Sequence, residues 1–196
     1  TSVAHGLLST TAEDFARFGM LFTPSWDKAA VRPVVSAEVL KRLQTAGSPE
    51  AYRRGAKYEG QKEDFGESPL MNSFQFDGVF EDGALWKHGN LGQGIYIDPA
   101  REFVGVYFST NGYIPPYGED KMPGYLRRAA KYLAGETAVK CANCAMRILG
   151  AYGYSTEYPV ARFYRDTPTY YMVEGSANIC KWIIALDQLG YRKANR

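Results

Sequence analysis

Cysteine and histidine are scarce in this chain of 196 residues, with three of one and two of the other. Three cysteines and two distant histidines do not make a convincing zinc site, and sparse cysteine points to a reducing, cytoplasmic setting. Excess charge is missing too. A formal net charge of +2 is too small to argue for nucleic acid or an acidic membrane as a partner. No apolar run approaches the roughly 20 residues of a membrane span; "WIIAL", Trp182–Leu186, is among the longest. The chain also opens at Thr1 without a methionine or a signal-peptide pattern, which reads as a fragment or a processed product. What remains is ordinary for a globular protein, 45% hydrophobic and 22% charged. That length holds one large domain or two small ones.

Cys141 and Cys144 form the spacing C-x-x-C, for which a thioredoxin-like reading requires a strand just before it. Instead Ala138, Cys141, Ala142, Ala145, Ile148 and Leu149 recur at helical spacing. Small residues suit close helix packing, so the expectation is a pair of buried thiols, with redox or metal chemistry as the alternative.

Residues 1 to about 134 read as α+β, helices plus an antiparallel hairpin. In "GLLSTTAEDFARFGMLF", Ser9, Thr10 or Thr11 can cap a helix whose first turn carries Glu13 and Asp14. "VVSAEVLKRLQTAG" repeats the logic, with Ser36 as cap and Gly47 as stop. The polar stretch 48–73 reads as loop. Further on, Ile95 and Ile97 alternate with Tyr96, Asp98–Arg101 makes a Pro-containing turn, and "EFVGVYFS" supplies a second strand.

"GLLSTTAEDFARFGML" and "KHGNLGQGIYIDPAREFVGVYFSTNG" resemble segments of the serine β-lactamase-like hydrolases, the superfamily of penicillin-binding proteins, class C β-lactamases and nylon-oligomer hydrolases. The resemblance implies that Lys87 or His88, on an edge strand, sits beside a nucleophile, with backbone N–H groups near Gly92 to Gly94 shaping an oxyanion site. The nucleophile itself belongs to an S-x-x-K motif. "SWDK", Ser25 to Lys28, matches that bare pattern, but in a polar loop and after a motif it should precede. The expectation is a hydrolase, esterase or amidase segment without its nucleophile. A strand-edge histidine inherited with the fold is the plainer reading of His88.

From about residue 135 the chain reads as helix, long loop, helix, an all-α segment belonging to a helical bundle. The first helix stops at Gly150, "GAYGYSTEYPVARFYRDTPTYYMVEG" follows as the loop, and Ile179, Trp182, Ile183, Leu186 and Leu189 mark the last helix. The order Glu157-Tyr158-Pro159-Val160, Arg162, Arg165-Asp166, Glu174-Gly175 resembles the C-terminal helical domain of the acyl-CoA dehydrogenases. These are flavoenzymes, so the resemblance implies FAD as cofactor and an acyl-CoA as substrate. It makes Glu174 the base that takes the α-proton; a carboxylate in an apolar pocket is tuned for that task. Gly175 would let the backbone approach the thioester. Ser176 and Asn178 would touch the flavin, and Arg147, Gly150 and Ala151 would stand where a neighbouring subunit's chain reaches it, so a homo-oligomer is implied. Arg147, Ala151, Ser176 and Asn178 depart from the family's usual residues. Arg162, Arg165 and Asp166 read first as structural ion pairs, and Glu174 as their partner is the alternative to the base.

The chain therefore reads as a chimera, 1–134 and 135–196, with its seam within 127–137. A helix can run through Gly135 for only about 1 kcal/mol relative to alanine. Both pieces read as incomplete, and three functions stand open: an acyl-CoA dehydrogenase-type oxidoreductase fragment inactive alone, a serine hydrolase, or a non-catalytic chain.

Overall fold

The computed structural model describes residues 10–89, 93–108, 121–173 and 176–189. They divide into two compact units, one ending at Arg127 and one beginning at Arg128.

The first unit opens with α1 (Ala12–Met20), capped by the Thr11 hydroxyl, which accepts from the Asp14 N–H at 3.1 Å. A short 3-10 segment, Pro24–Lys28, leads to α2 (Ala37–Thr45), capped by Ser36 as its sequence predicts. Residues 48–73 are not a loop. They hold α3 (Pro49–Arg53), α4 (Tyr58–Phe65) and β1 (Met71–Ser73). Ser48 caps α3 ahead of a proline in its first turn, and Gly66 closes α4 at φ 74° in the left-handed region. Elements of three to eight residues give periodicity too little length to register.

Five strands form one antiparallel sheet in the order β1-β2-β3-β4-β5, with β2 at Phe76–Val79, β3 at Leu85–His88, β4 at Gly94–Asp98 and β5 at Phe103–Tyr107. The predicted hairpin is β4–β5, paired from Gly94↔Tyr107 to Asp98↔Phe103. β3 is not an edge strand: it pairs with β2 on one side and β4 on the other. Both faces of the sheet are covered. Leu85, Ile95 and Ile97 pack with Phe22, Tyr52 and Phe76 on one face. On the other, Trp86 and Phe80 meet the Phe65 ring edge-on at 5.4 and 4.8 Å.

A charged cluster fastens this second face. Arg127 pairs with Glu67, donates to the Tyr96 hydroxyl at 2.7 Å and to Asp82 at 3.2 Å, and lies 4.0 Å from the centre of the Phe80 ring. Arg101 reaches Asp82 at 2.7 Å and the fully buried Asp98 at 2.6 Å. Burial alone would raise the Asp82 carboxyl; the guanidiniums of Arg127 and Arg101 outweigh it and hold the group below the usual carboxylate range. Burial likewise pushes the Tyr96 phenol well up, so it stays a neutral hydroxyl accepting from Arg127.

α5 runs unbroken from Met122 to Leu149, through Gly135. At Gly135 a β-carbon would lie 3.1 Å from the Tyr170 carbonyl oxygen and 3.3 Å from the Tyr171 Cα, so glycine lets two helix backbones approach here. The second unit continues with α6 (Ala151–Tyr154), α7 (Val160–Met172) and α8 (Ala177–Gln188). The stretch 160–172 expected as loop is thus a helix. Pro168 inside it cannot donate to the Tyr164 carbonyl. Lys181 of α8 pairs with Glu136 of α5 and sits 5.0 Å from the centre of the Tyr132 ring.

Candidate functional site

Two groups of residues compete as a site, one in each unit. In the first, Asp77 on β2 stands beside Lys87 on β3, one step beyond the Gly78↔Trp86 pair. Cross-strand neighbours lie within about 5 Å at their β-carbons, and the Lys87 ammonium meets Asp77 Oδ2 at 2.7 Å. The same oxygen accepts the His88 backbone N–H at 3.0 Å, and Lys57 approaches Oδ1 at 3.8 Å. Asp77 gathers two cations and a backbone donor at one strand end, and this engages the lysine that the hydrolase reading places beside a nucleophile. His88 is half-buried, its ring 6.2 Å from that of Trp86. Asp77 also lines a cleft of about 480 Å³ with Gly47, Tyr52, Lys57, Asn72 and Phe74. Neither Lys87 nor His88 lines it.

Ser25, the serine of "SWDK", donates its hydroxyl to Glu102. Gly94 begins β4, with its backbone in the ladder opposite His88 and Tyr107; Gly92 lies outside the described residues. Asp77 was absent from the sequence reading. The signal for it was a carboxylate and a lysine on two short runs, Phe76–Val79 and Leu85–His88, that a hairpin would bring face to face.

In the second unit, α5 ends at Leu149 and Gly150 turns the chain at φ 53°, a conformation glycine adopts at little cost. Its N–H donates to the Met146 carbonyl at 3.0 Å, its carbonyl accepts from the Gly153 N–H at 3.0 Å, and the space where a side chain would stand is open. Arg147, Ala151 and Asn178 are exposed. The Ser176 hydroxyl accepts from the Ile179 N–H at 3.4 Å at the start of α8. Glu174 and Gly175 fall between α7 and α8 in sequence, outside the described residues.

Comparison with known proteins separates the two candidates. Residues 118–189 match the sequence profile "Acyl-CoA dehydrogenase, C-terminal domain". The C-terminal part resembles an acyl-CoA dehydrogenase. Glutaryl-CoA dehydrogenase of Desulfococcus multivorans is 88% identical over 67 residues, 34% of this chain and 17% of that protein. Cyclohexane-1-carbonyl-CoA dehydrogenase of Syntrophus aciditrophicus is 35% identical over 71 residues, 36% of this chain and 18% of its own. A solved structure of a glutaryl-coenzyme A dehydrogenase with glutaryl-CoA shares 82% identity, covers 37% of this chain and 18% of that one, and has a TM-score of 0.34. The chain thus spans less than a fifth of the length of these relatives. None of them is a serine hydrolase, and the hydrolase reading of residues 1–134 draws no support from them.

Acyl-CoA dehydrogenases use FAD, so the acyl-CoA dehydrogenase-like residues face a test of fit. Arg147 and Asn178 offer a guanidinium and an amide to solvent, and the backbone at Gly150 has clear space beside it. The Gly150 N–H is spent within the helix end, and the Ser176 hydroxyl accepts from its own helix. These groups suit one polar edge of a flavin site; the hydrogen bonds that would enclose an isoalloxazine ring are not supplied by them.

Proposed function

We propose that residues from about 135 onward are the C-terminal helices of an acyl-CoA dehydrogenase-type flavoenzyme, and that the chain alone does not turn over. The observation that carries this is the ordered run from Glu157 to Gly175, lying within the residues that match the family profile. A relative 88% identical over 67 residues is named glutaryl-CoA dehydrogenase, which supports a glutaryl-CoA-like substrate for the parent enzyme. FAD, when bound in that enzyme, would supply the hydride-accepting chemistry at the β-carbon. Glu174 takes the α-proton, Gly175 keeps the backbone close to the thioester, and Arg147, Gly150, Ala151, Ser176 and Asn178 form the polar edge at the cofactor. A homo-oligomer belongs to this reading, because the edge at Arg147 to Ala151 serves a neighbouring subunit.

The first unit serves as scaffold in this account. Its Lys87 is committed to Asp77 and its S-x-x-K serine to Glu102, so neither of these side chains stands ready to serve acyl transfer. A seam within residues 127–137 belongs to this reading.

The test is a graft. Residues 130–196 replace the corresponding end of the Desulfococcus multivorans glutaryl-CoA dehydrogenase. The hybrid is expected to hold FAD and oxidise glutaryl-CoA, while its Glu174→Gln form holds FAD without bleaching. A flavin-loaded Glu174→Gln hybrid that still turns over would remove Glu174 as base. For the chain alone, the expected result after incubation with FAD and desalting is no retained flavin band and no labelling by a fluorophosphonate; labelling at Ser25 would restore the hydrolase reading.

A further inference from the structure

α5 carries Cys141 and Cys144 three residues apart, well inside the helix, and both are exposed; Cys180 on α8 is buried. The expectation of two buried thiols is corrected: the small residue between them, Ala142, takes the buried face, and the cysteines lie on the other side of the turn. Residues three apart on a helix share a face, their β-carbons about 5–6 Å apart. A disulfide needs about 3.5–4.5 Å between β-carbons, so oxidation would have to unwind this turn. A thiolate–metal bond is about 2.3 Å long, and two in line place the sulfurs about 4.6 Å apart. Side-chain rotation reaches that span with the helix intact.

The surroundings choose the ion. Among the described residues no group of three or more His, Cys, Asp and Glu side chains is placed to hold a metal. An ion that demands four ligands is therefore not served, and two thiolates favour a soft ion content with two. Two thiolates with one monovalent ion leave one negative charge. Lys140, next to Cys141, is exposed on α5 to offset it.

We propose that Cys141 and Cys144 form a two-coordinate thiolate site for a soft monovalent cation, Cu(I) being the biological example. Two S–H bonds release their protons to solvent and two S–Cu bonds form, with no change in oxidation state. This site is independent of the flavin chemistry proposed above.

The experiment is an anaerobic titration of the intact chain with Cu(I) held by bicinchoninate, following loss of the coloured complex, with copper-edge X-ray absorption to count sulfurs. One Cu(I) per chain is expected, bound by two sulfurs, with two protons released in weak buffer. Cys141→Ser and Cys144→Ser should each abolish competition with bicinchoninate, while Cys180→Ser leaves it unchanged. The proposal is overturned if either single variant competes like the parent chain, if Cys180→Ser abolishes binding, or if the parent takes up two ions or none. A second measurement covers the redox alternative: oxidised glutathione should not close a Cys141–Cys144 disulfide while the far-ultraviolet helical signal is kept, and an intramolecular disulfide with full helicity would overturn the geometric argument.

Discussion

The two units bury different things. In the first, Trp86 is 1% exposed and Tyr96 0%, and they share the interior with Phe80, Leu85, Ile95 and Ile97. In the second, the buried described residues are Ala130, Gly135, Ala142, Gly153, Ala161, Ala177 and Cys180, all small. Several of its large apolar side chains face outward, Ile148 at 83% and Tyr154 at 81%, with Tyr170, Met172, Trp182 and Leu189 also exposed, while others such as Leu149 and Ile183 are half-buried. Apolar area removed from water is worth about 25 cal/mol per Å², so the first unit buries a core of large side chains while the fully buried described residues of the second are small. Exposed large apolar groups mark surfaces that pack against something else, in line with the proposal that these helices belong to a larger bundle.

The comparison can be broken at its strongest point first. Trp86→Ala should cost about 3–5 kcal/mol, read by urea denaturation, and abolish the near-ultraviolet signal of the first unit. Tyr154→Ala, at an exposed position, should change stability by less than about 0.5 kcal/mol. Equal losses from the two would deny that the units differ.

Arg127→Met comes next. It strips Asp82 and Glu67 of a partly buried partner, and about 2–3 kcal/mol is expected, below the range for fully buried pairs because Glu67 is half exposed. Its acid limb is diagnostic. Asp82 titrates below its ordinary value near 3.8 in the folded state, so the stability it contributes is complete above that pH and is lost as pH falls through the folded value. Thermal melts between pH 5 and pH 2 should show this loss in the parent and a shallower one in Arg127→Met.

Much of the first unit was legible because its signals were long or sharply punctuated. Thr11 and Ser36 cap where hydroxyl chemistry predicts, and the Ile95–Ile97 alternation beside Asp98-Pro99 is a hairpin signal. β1 and β2 escaped because Asn72, Asp77 and Gly78 interrupt three- and four-residue runs whose pairing is decided by neighbours across the sheet. α7 escaped because Pro168 and a crowd of tyrosines look like loop. Lys87 and His88 were expected on an edge strand but lie on β3, paired on both sides, and sequence position could not reveal Asp77 as the partner that occupies Lys87. The thiols of Cys141 and Cys144 were misplaced because a helical period gives the spacing of a face and not which face is covered.

Two smaller effects sharpen the account of the second unit. Gly135→Val should cost about 1–3 kcal/mol, since its added atoms meet the Tyr170 backbone rather than a movable side chain; the change should appear as lost helicity on heating. Lys181→Ala removes the exposed pair with Glu136. It should lower the melting temperature only slightly, and the difference should vanish in high salt.

Hydrogen–deuterium exchange of the intact chain, resolved by peptide, tests the contrast most directly. Amides of β3 and β4, Leu85–His88 and Gly94–Asp98, should exchange only through global unfolding of the first unit, while those of α7 and α8 exchange orders of magnitude sooner. Equal protection of α7–α8 and the sheet would contradict the account, because it would show the C-terminal helices to be a self-sufficient core and not part of a larger flavoenzyme bundle.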